Sequence, residues 1–132
     1  MIETAQKRNL KDVKFLLGDC ENLPFDDNSF DVITCSHSFH HYPNPEKFFA
    51  SVKRVLKPKG RLIIQDNTKR GIKRLTTNFI MWPLKRLLGK LGDVKIYSRN
   101  DIERLCRNSG LIMESYTDFY NGRMQCVIRK PE

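Results

Sequence analysis

Residues 18–67 decide the fold, and their sequence is GDCENLPFDDNSFDVITCSHSFHHYPNPEKFFASVKRVLKPKGRLIIQDN. Within this stretch, Asp31–Cys35 (DVITC) is rich in β-branched residues and is bounded on both sides, which predicts a buried strand. Arg61–Asp66 (RLIIQD) predicts the next strand. Two strands joined through a helix form a βαβ unit, in which the strands run parallel with a right-handed crossover. The central residues therefore predict an α/β fold.

The helix between the two strands has clear start and stop signals. Asn44 can cap it, and Pro45 suits its first position. Five apolar side chains then recur at helical spacing and predict a buried face: Phe48, Phe49, Val52, Val55 and Leu56. The same spacing predicts that three cations face water: Lys47, Lys53 and Arg54. Lys57–Gly60 (KPKG) ends the helix, because proline cannot continue it and glycine allows a sharp turn.

The residues before this unit add two elements. Ile2–Asn9 predicts the end of a helix, and Val13–Leu17 is a short apolar run with strand character. The order along the chain is then helix, strand, strand, helix, strand, further helices and a closing pair of strands. We expect one domain over residues 1–132, because no linker or repeat divides the chain.

The C-terminal part predicts a helix and a hairpin. Ser98 begins the helix, with Asp101 in the capping-box position and Gly110 at its end. Leu111–Phe119 and Arg123–Arg129 flank an Asn-Gly pair, which is a strong hairpin signal. The chain therefore closes with an antiparallel hairpin.

The composition is that of a soluble globular protein. The 132 residues are 39% hydrophobic and 30% charged. The sequence shows no signal-peptide pattern, and no apolar run approaches the roughly 18 residues that a membrane span needs. The four cysteines lie far apart without a repeated spacing, which suits free thiols in a reducing compartment: Cys20, Cys35, Cys106 and Cys126. We therefore expect a cytoplasmic protein.

The net charge of +9 is concentrated in one segment. Residues 68–95 contain eight basic residues and one acidic residue, a local net charge of +7, interleaved with leucines and the single tryptophan. Such a segment can be a solvated helical face, or a helical insertion that covers a site. It can also be an amphipathic helix on an anionic membrane or a lipid-like ligand. Nucleic acid binding is less favoured, because the sequence contains no motif of a nucleic-acid-binding module.

The motifs GDCENLPF, DVITCSHSFHHYPNPEKF and LKPKGRLIIQDN resemble the middle of class I S-adenosylmethionine-dependent methyltransferases of the type 11, ubiquinone/menaquinone methyltransferase kind. The resemblance implies a Rossmann-like sheet in the strand order 3-2-1-4-5-7-6. The first two strands and the glycine-rich cofactor loop have no counterpart here. We therefore expect an N-terminally truncated domain, in which residues 68–95 form a basic helical lid.

The resemblance also implies a cofactor site. Asp19 and the backbone of Cys20 would hold the adenine, while Ser36 and His37 would approach the methionine moiety and His41 the pocket wall. Considered without the resemblance, Asp19 is a solvated turn carboxylate or a helix cap. The loop pattern Cys-x-His-x-x-His-His also suggests zinc, but no second Cys/His pair lies at a suitable interval, so we expect no metal.

The function implied is methyl transfer from S-adenosylmethionine to a small-molecule or lipid-like acceptor. No catalytic residue is assigned, because alignment of the reactants supplies most of the rate. His40 is a candidate general base, although a histidine in a loop is more often a packing residue. We expect weak cofactor binding without the glycine-rich loop. We also expect either a homodimer through the sheet edge exposed at Asp31–Cys35, or direct pairing of that strand with Val13–Leu17. The alternative function is a non-catalytic basic module that binds an anionic surface, nucleic acid or a complementing polypeptide.

Overall fold

The computed structural model describes residues 4, 10–68, 95–120 and 122–132. The predicted helix end at Ile2–Asn9 and the predicted lid at 68–95 lie outside these residues, apart from Thr4, Thr68 and Lys95. The described part contains, in chain order, β1 (Phe30–Ser36), a short 3-10 helix (Phe39–His41), α1 (Pro45–Val55), β2 (Leu56–Asn67), α2 (Arg99–Ser109), β3 (Ile112–Asp118) and β4 (Arg123–Arg129).

The four strands form one sheet in the order β1-β2-β4-β3. β1 runs parallel to β2, and α1 connects them, which confirms the predicted βαβ unit. β4 pairs antiparallel with both β2 and β3, which confirms the C-terminal hairpin. This order corresponds to the 4-5-7-6 half of the sheet that the resemblance implies. The described strand order therefore agrees with half of the Rossmann-like sheet that the resemblance implies.

Three of the predicted helix ends are confirmed, while α1 ends at Val55, so that Leu56 belongs to β2. Asn44 Oδ1 accepts a hydrogen bond from the backbone N–H of Lys47 at 3.1 Å, and Pro45 is the first helical residue of α1. Ser98 and Asp101 form a reciprocal capping box at the start of α2. Gly110 ends α2 in the left-handed conformation, with φ = 68°, which glycine adopts without a steric penalty.

One predicted strand and one predicted strand boundary are wrong. Val13–Leu17 forms no strand, and Leu16 and Leu17 are 60% and 88% exposed. A strand requires a hydrogen-bonded neighbour, and no described residue pairs with this segment. Lys57–Gly60 does end the helix, but it lies inside β2. There the pairing steps from Phe30↔Leu56 to Val32↔Arg61, so Lys57–Gly60 form an irregularity in the ladder.

The core lies between the sheet and the two helices. β2 alternates strictly toward its carboxyl end, so Leu62, Ile64 and Asp66 are buried while Arg61 and Gln65 are exposed. Aromatic rings cover the end of β2, and the fully buried Phe39 contacts four of them: Tyr42, Phe48, Phe49 and Tyr97. This cluster fixes the 3-10 helix against the sheet.

A charge cluster on the opposite face connects three strands. Glu114 on β3 accepts from Arg61 Nε on β2 at 2.8 Å and from Arg129 Nε on β4 at 2.9 Å. The hydrogen bond from Arg61 is the main reason that the pKa of Glu114 lies below its usual range. Because the folded-state pKa is lowered, this contribution to stability is present above the ordinary carboxyl pKa and is lost on acidification. This contribution to stability is small, since the three side chains are partly exposed to solvent.

The first strand forms an exposed apolar edge, as predicted. β1 pairs only with β2 among the described strands, and Val32 on it is 52% exposed. Beside it lies an open cavity of about 240 Å³, lined by Leu23, Phe25, Phe30, Val32 and Ile33. An edge of this kind offers unpaired backbone groups to another strand.

We predict that Ile128→Ala and Ile112→Ala separate core from surface in the same hairpin. Ile128 is fully buried, so its truncation should lower the free energy of unfolding by about 2–5 kcal/mol. Ile112 is 43% exposed, and the same change there should cost under about 1 kcal/mol. Urea denaturation followed by circular dichroism measures both; equal losses would contradict the described packing.

Candidate active site

The carboxyl ends of β1 and β2 lie side by side. Ser36 pairs with Gln65, and the backbone N–H of the next residue, His37, donates to the carbonyl of Gln65 at 2.8 Å. His37 then has φ = 50°, a left-handed conformation that few non-glycine residues adopt. The chain therefore turns sharply here and places residues 37–41 over the end of β2.

His40 and Asp66 form a buried pair at this point. Asp66 Oδ1 lies 2.6 Å from His40 Nδ1, and Asp66 Oδ2 accepts the backbone N–H of His40 at 3.0 Å. The backbone N–H of Asn67 also donates to Oδ1, at 2.7 Å. The Asp66 side chain is only 2% exposed, and that of His40 is 12% exposed. Three hydrogen bonds thus compensate a carboxylate that the strand alternation places inside the protein.

A cavity of about 230 Å³ opens beside this pair. Its walls combine a carboxylate, an imidazole, a guanidinium, an amide, a thioether and a phenyl ring, from His37, Gln65, Asp66, Phe119, Arg123 and Met124. These residues come from the loop after β1, the carboxyl end of β2, the residue after β3 and the start of β4. Such a mixture suits a ligand with an apolar body and a few polar groups.

The loop that carries Asp19 and Cys20 is a tight turn. Asp19 Oδ1 accepts the backbone N–H of Glu21 at 2.9 Å, and the backbone carbonyl of Asp19 accepts the N–H of Asn22 at 3.1 Å. Asp19 is exposed, while Cys20 is half-buried and packs against the core. Burial, followed by the charges of Asp19 and Glu21, raises the pKa of the Cys20 thiol.

Arg54 was predicted only to face water; its side chain is 36% exposed, and it also anchors this loop to α1. Its guanidinium donates to the carbonyls of Leu23 at 2.6 Å and Phe25 at 2.7 Å, and to Asp27 Oδ1 at 3.0 Å. The backbone carbonyls of a loop need partners, and a long side chain from the adjacent helix supplies them. Periodicity alone does not reveal this contact.

A small polar cluster lies beneath the loop after β1. The Ser38 hydroxyl is 3.1 Å from the Tyr42 hydroxyl and 3.3 Å from Cys35 Sγ. Burial raises the pKa of Tyr42 well above its ordinary value, so the phenol stays protonated near neutral pH. This cluster fixes the loop and gives the hydroxyl groups of Ser38 and Tyr42 hydrogen-bond partners inside the protein.

The structure brings together only some of the residues predicted for the site. His37, His40 and His41 are gathered at the end of β2, with the rings of His40 and His41 4.0 Å apart. Ser36 and His41 are exposed, and the cofactor roles of Asp19, Cys20, Ser36, His37 and His41 stay predictions. The predicted set omitted Asp66. In RLIIQD, this acid lies on the same face as the apolar residues that point into the core, and a buried carboxylate there needs a hydrogen-bond partner.

Two further features bear on the kind of site. Within the described residues, no three His, Cys, Asp or Glu side chains are gathered so that they could hold a metal ion. No helix in that part of the chain is long and apolar enough to cross a membrane.

Comparison with known proteins adds the following. The methyltransferase-domain family matches residues 1–64. The chain is 42% identical over 85 residues to the demethylmenaquinone methyltransferase of Thermotoga maritima, covering 64% of this chain and 37% of that protein. It is 47% identical over 66 residues to the phthiotriol/phenolphthiotriol dimycocerosates methyltransferase 1 of Mycobacterium ulcerans, covering 49% of this chain and 24% of that protein.

The structural comparison agrees. The crystal structure of an S-adenosylmethionine-dependent methyltransferase from Aquifex aeolicus superposes with a TM-score of 0.72 at 22% identity, covering 97% of this chain and 60% of that one. This likeness shows the fold. The chain spans little more than a third of the length of the Thermotoga relative, and about a quarter of the Mycobacterium relative.

We predict that the thiols differ in reactivity toward iodoacetamide at pH 8. Burial raises the pKa of Cys106 to about 11 and that of Cys126 to about 12, so about one Cys106 thiol in a thousand is ionised. The half-buried Cys20 thiol is nearer to solvent and should therefore react faster than either. Mass spectrometry of timed samples measures the rates, with urea-unfolded protein as the control; fast labelling of Cys126 in the native protein would contradict its burial.

Proposed function

We propose that this chain is a class I S-adenosylmethionine-dependent methyltransferase and that it serves methyl transfer to a small-molecule or lipid-like acceptor. One observation carries the proposal: the His40–Asp66 pair and the mixed cavity lie together at the carboxyl ends of β1 and β2. In open α/β sheets, this is the edge at which ligands bind.

The cavity and the relatives support the proposed acceptor class. Phe119 and Met124 provide an apolar wall, and the 43% exposed Phe119 ring lies at the mouth of a site that a hydrophobic ligand could cover. The curated relatives are named for demethylmenaquinone and for phthiotriol dimycocerosates. Both names support an acceptor with a large apolar part. We propose this class of acceptor for the chain, without choosing a single compound.

S-adenosylmethionine is the cofactor that the family uses, and the residues present fit it in part. Asp19 is exposed and uses Oδ1 within its turn, while no described residue hydrogen-bonds Oδ2, which is free to accept from an adenine amine. We propose that Asp19 and Cys20 bind the adenine, and that Ser36, His37 and His41 approach the methionine end. When bound, the cofactor supplies a methyl group already activated by its sulfonium.

The basic segment at residues 68–95 has two proposed roles. Its position in the sequence, directly after β2, would let it cover the cavity at the end of that strand. Its local net charge of +7 would also attract an anionic membrane surface, where lipid-like acceptors are found. The same charge is the observation that favours the second candidate function, a non-catalytic basic module.

We predict saturable binding of S-adenosylhomocysteine to the purified chain, weakened by Asp19→Asn. Loss of one charge-assisted hydrogen bond costs about 1.5–3 kcal/mol, which corresponds to an affinity about 10- to 100-fold lower. The matched control is Asp12→Asn, another exposed aspartate, whose left-handed backbone (φ = 62°) suits asparagine. Isothermal titration calorimetry measures all three proteins.

Three outcomes of that titration are informative. Binding that Asp19→Asn weakens and Asp12→Asn leaves unchanged supports the proposed site. Equal affinities for all three proteins would contradict the role of Asp19. If S-adenosylhomocysteine does not bind, and phosphatidylserine vesicles bind in a salt-sensitive way, the result would favour the basic module.

We also propose a homodimer through the β1 edge. The second copy offers a candidate element, because its own Val13–Leu17 is mostly apolar and is unpaired among the described residues. Pairing of this segment with β1 of the partner copy would cover Val32 and extend the ladder. The adjacent apolar cavity of about 240 Å³ would receive leucine side chains.

We predict that Val32→Lys abolishes this dimer, because a lysine on an edge strand opposes edge-to-edge pairing. The control is Ile112→Lys, a comparably exposed aliphatic residue on β3 at the opposite edge of the sheet. Light scattering at high concentration should give twice the 15.5 kDa monomer mass for the wild type and Ile112→Lys, and the monomer mass for Val32→Lys. A wild-type monomer would exclude the dimer.

A further inference from the structure

The acid in the wall of the cavity at the end of β2 is already engaged by the protein. The Asp66 side chain is only 2% exposed. Its carboxylate oxygens accept from the backbone N–H groups of His40 and Asn67, and Oδ1 also lies 2.6 Å from His40 Nδ1. A carboxylate whose oxygens have partners within the protein offers little to a ligand.

Arg123 is the exposed charge in the same wall. It is the first residue of β4, pairs with Asn67 across the ladder and lines the cavity beside Met124. A guanidinium carries five N–H donors in a planar fork, so a contact within the protein leaves donors for a ligand. Among the described residues that line the cavity, Arg123 is the one permanent cation. The cavity thus presents a positive group to whatever enters it.

The backbone around Arg123 holds it in a defined position. The carbonyl of Arg123 accepts the N–H of Phe119 at 2.7 Å, which closes the hairpin. The carbonyl of Gly122 accepts the N–H of Thr68 at 2.8 Å, which ties the hairpin turn to the residue that follows β2. A binding side chain carried by a fixed strand is placed more precisely than one on a loop.

The wall beside the guanidinium is apolar. Met124 is buried, Phe119 is 43% exposed, and both line the cavity. The volume of about 230 Å³ lies below the roughly 300–1,000 Å³ of sites that enclose a whole drug-sized ligand. The cavity therefore suits the head of a larger molecule, whose apolar remainder would extend over the Phe119 ring.

We propose that the methyl acceptor carries a carboxylate on an apolar body and that Arg123 binds this carboxylate in the cavity. The inference rests on the proposed methyl transfer and narrows its acceptor class. Two parallel N–H groups of the guanidinium match the two carboxylate oxygens, while Phe119 and Met124 contact the apolar part. A carboxylate carries one negative charge, which one guanidinium balances, whereas a phosphate monoester carries about 1.5 to 2.

The first experiment compares two ligands that differ in this charge. Isothermal titration calorimetry is performed with 3-hydroxy-2-naphthoate and with 3-hydroxy-2-naphthamide. Salt at about 0.15 M screens the general attraction of a protein with a net charge of +9. The naphthoate should bind the wild type about 10- to 100-fold more tightly, the value of one charge-assisted interaction. Equal affinities for the two ligands would overturn the proposal, and this test needs no variant.

The second experiment assigns the preference to one residue. Arg123→Gln should lower the affinity for the naphthoate to that for the naphthamide, with circular dichroism as the check that the variant is folded. The matched control is Arg104→Gln, which removes the same charge from an exposed arginine on α2 and should keep the preference. Equal losses in the two variants would show a general charge effect and overturn the role of Arg123.

The third experiment repeats the titration with wild-type protein saturated with S-adenosylhomocysteine. The naphthoate should still bind, because an acceptor occupies its site together with the cofactor. Competition between the two compounds would overturn the acceptor role. If S-adenosylhomocysteine does not bind at all, while Arg123→Gln removes the preference for the naphthoate, the proposed function is contradicted and the carboxylate site stands.

Discussion

The parallel pairing of β1 with β2 is the constraint on which the rest of the structure depends. Parallel neighbours cannot be joined by a tight turn, so α1 must cross over the sheet between them. The crossover buries the apolar face of α1 and leaves both carboxyl ends at the same edge. His37, His40 and Asp66 of the candidate site lie at these two ends.

The site is held by backbone and buried polar contacts, which restrict its geometry. His37 is tied to Gln65 through the backbone, His40 to Asp66 through backbone and ring, and the Phe39 ring lies 4.4 Å from that of Tyr97. Side chains fixed by packing and hydrogen bonds lose little freedom when a ligand binds. Groups placed in advance are what methyl transfer requires, since alignment accounts for most of the rate.

The loop before β1 depends on α1 in a similar way. Arg54 on α1 donates to the carbonyls of Leu23 and Phe25. Ser51 Oγ on the same helix accepts from the Leu23 N–H at 2.9 Å, and the N–H of the cap residue Asn44 donates to Glu21. Asp19 and Cys20 therefore have a defined position although no strand precedes them in the described sheet. The helix that links the two strands thus also organises the loop proposed to bind adenine.

The sequence by itself determined the local elements and the family. The hydrophobic spacing of α1, the caps at Asn44 and Ser98, the glycine at the end of α2 and the Asn-Gly hairpin signal are short-range features, and each is confirmed. Only the tertiary structure decided the contacts between distant residues. The 26 positions that separate His40 from Asp66, and the 31 that separate Arg54 from Leu23, have no local signature. Val13–Leu17 failed as a strand for the same reason: strand character is local, but a strand exists only where a neighbour supplies its hydrogen bonds.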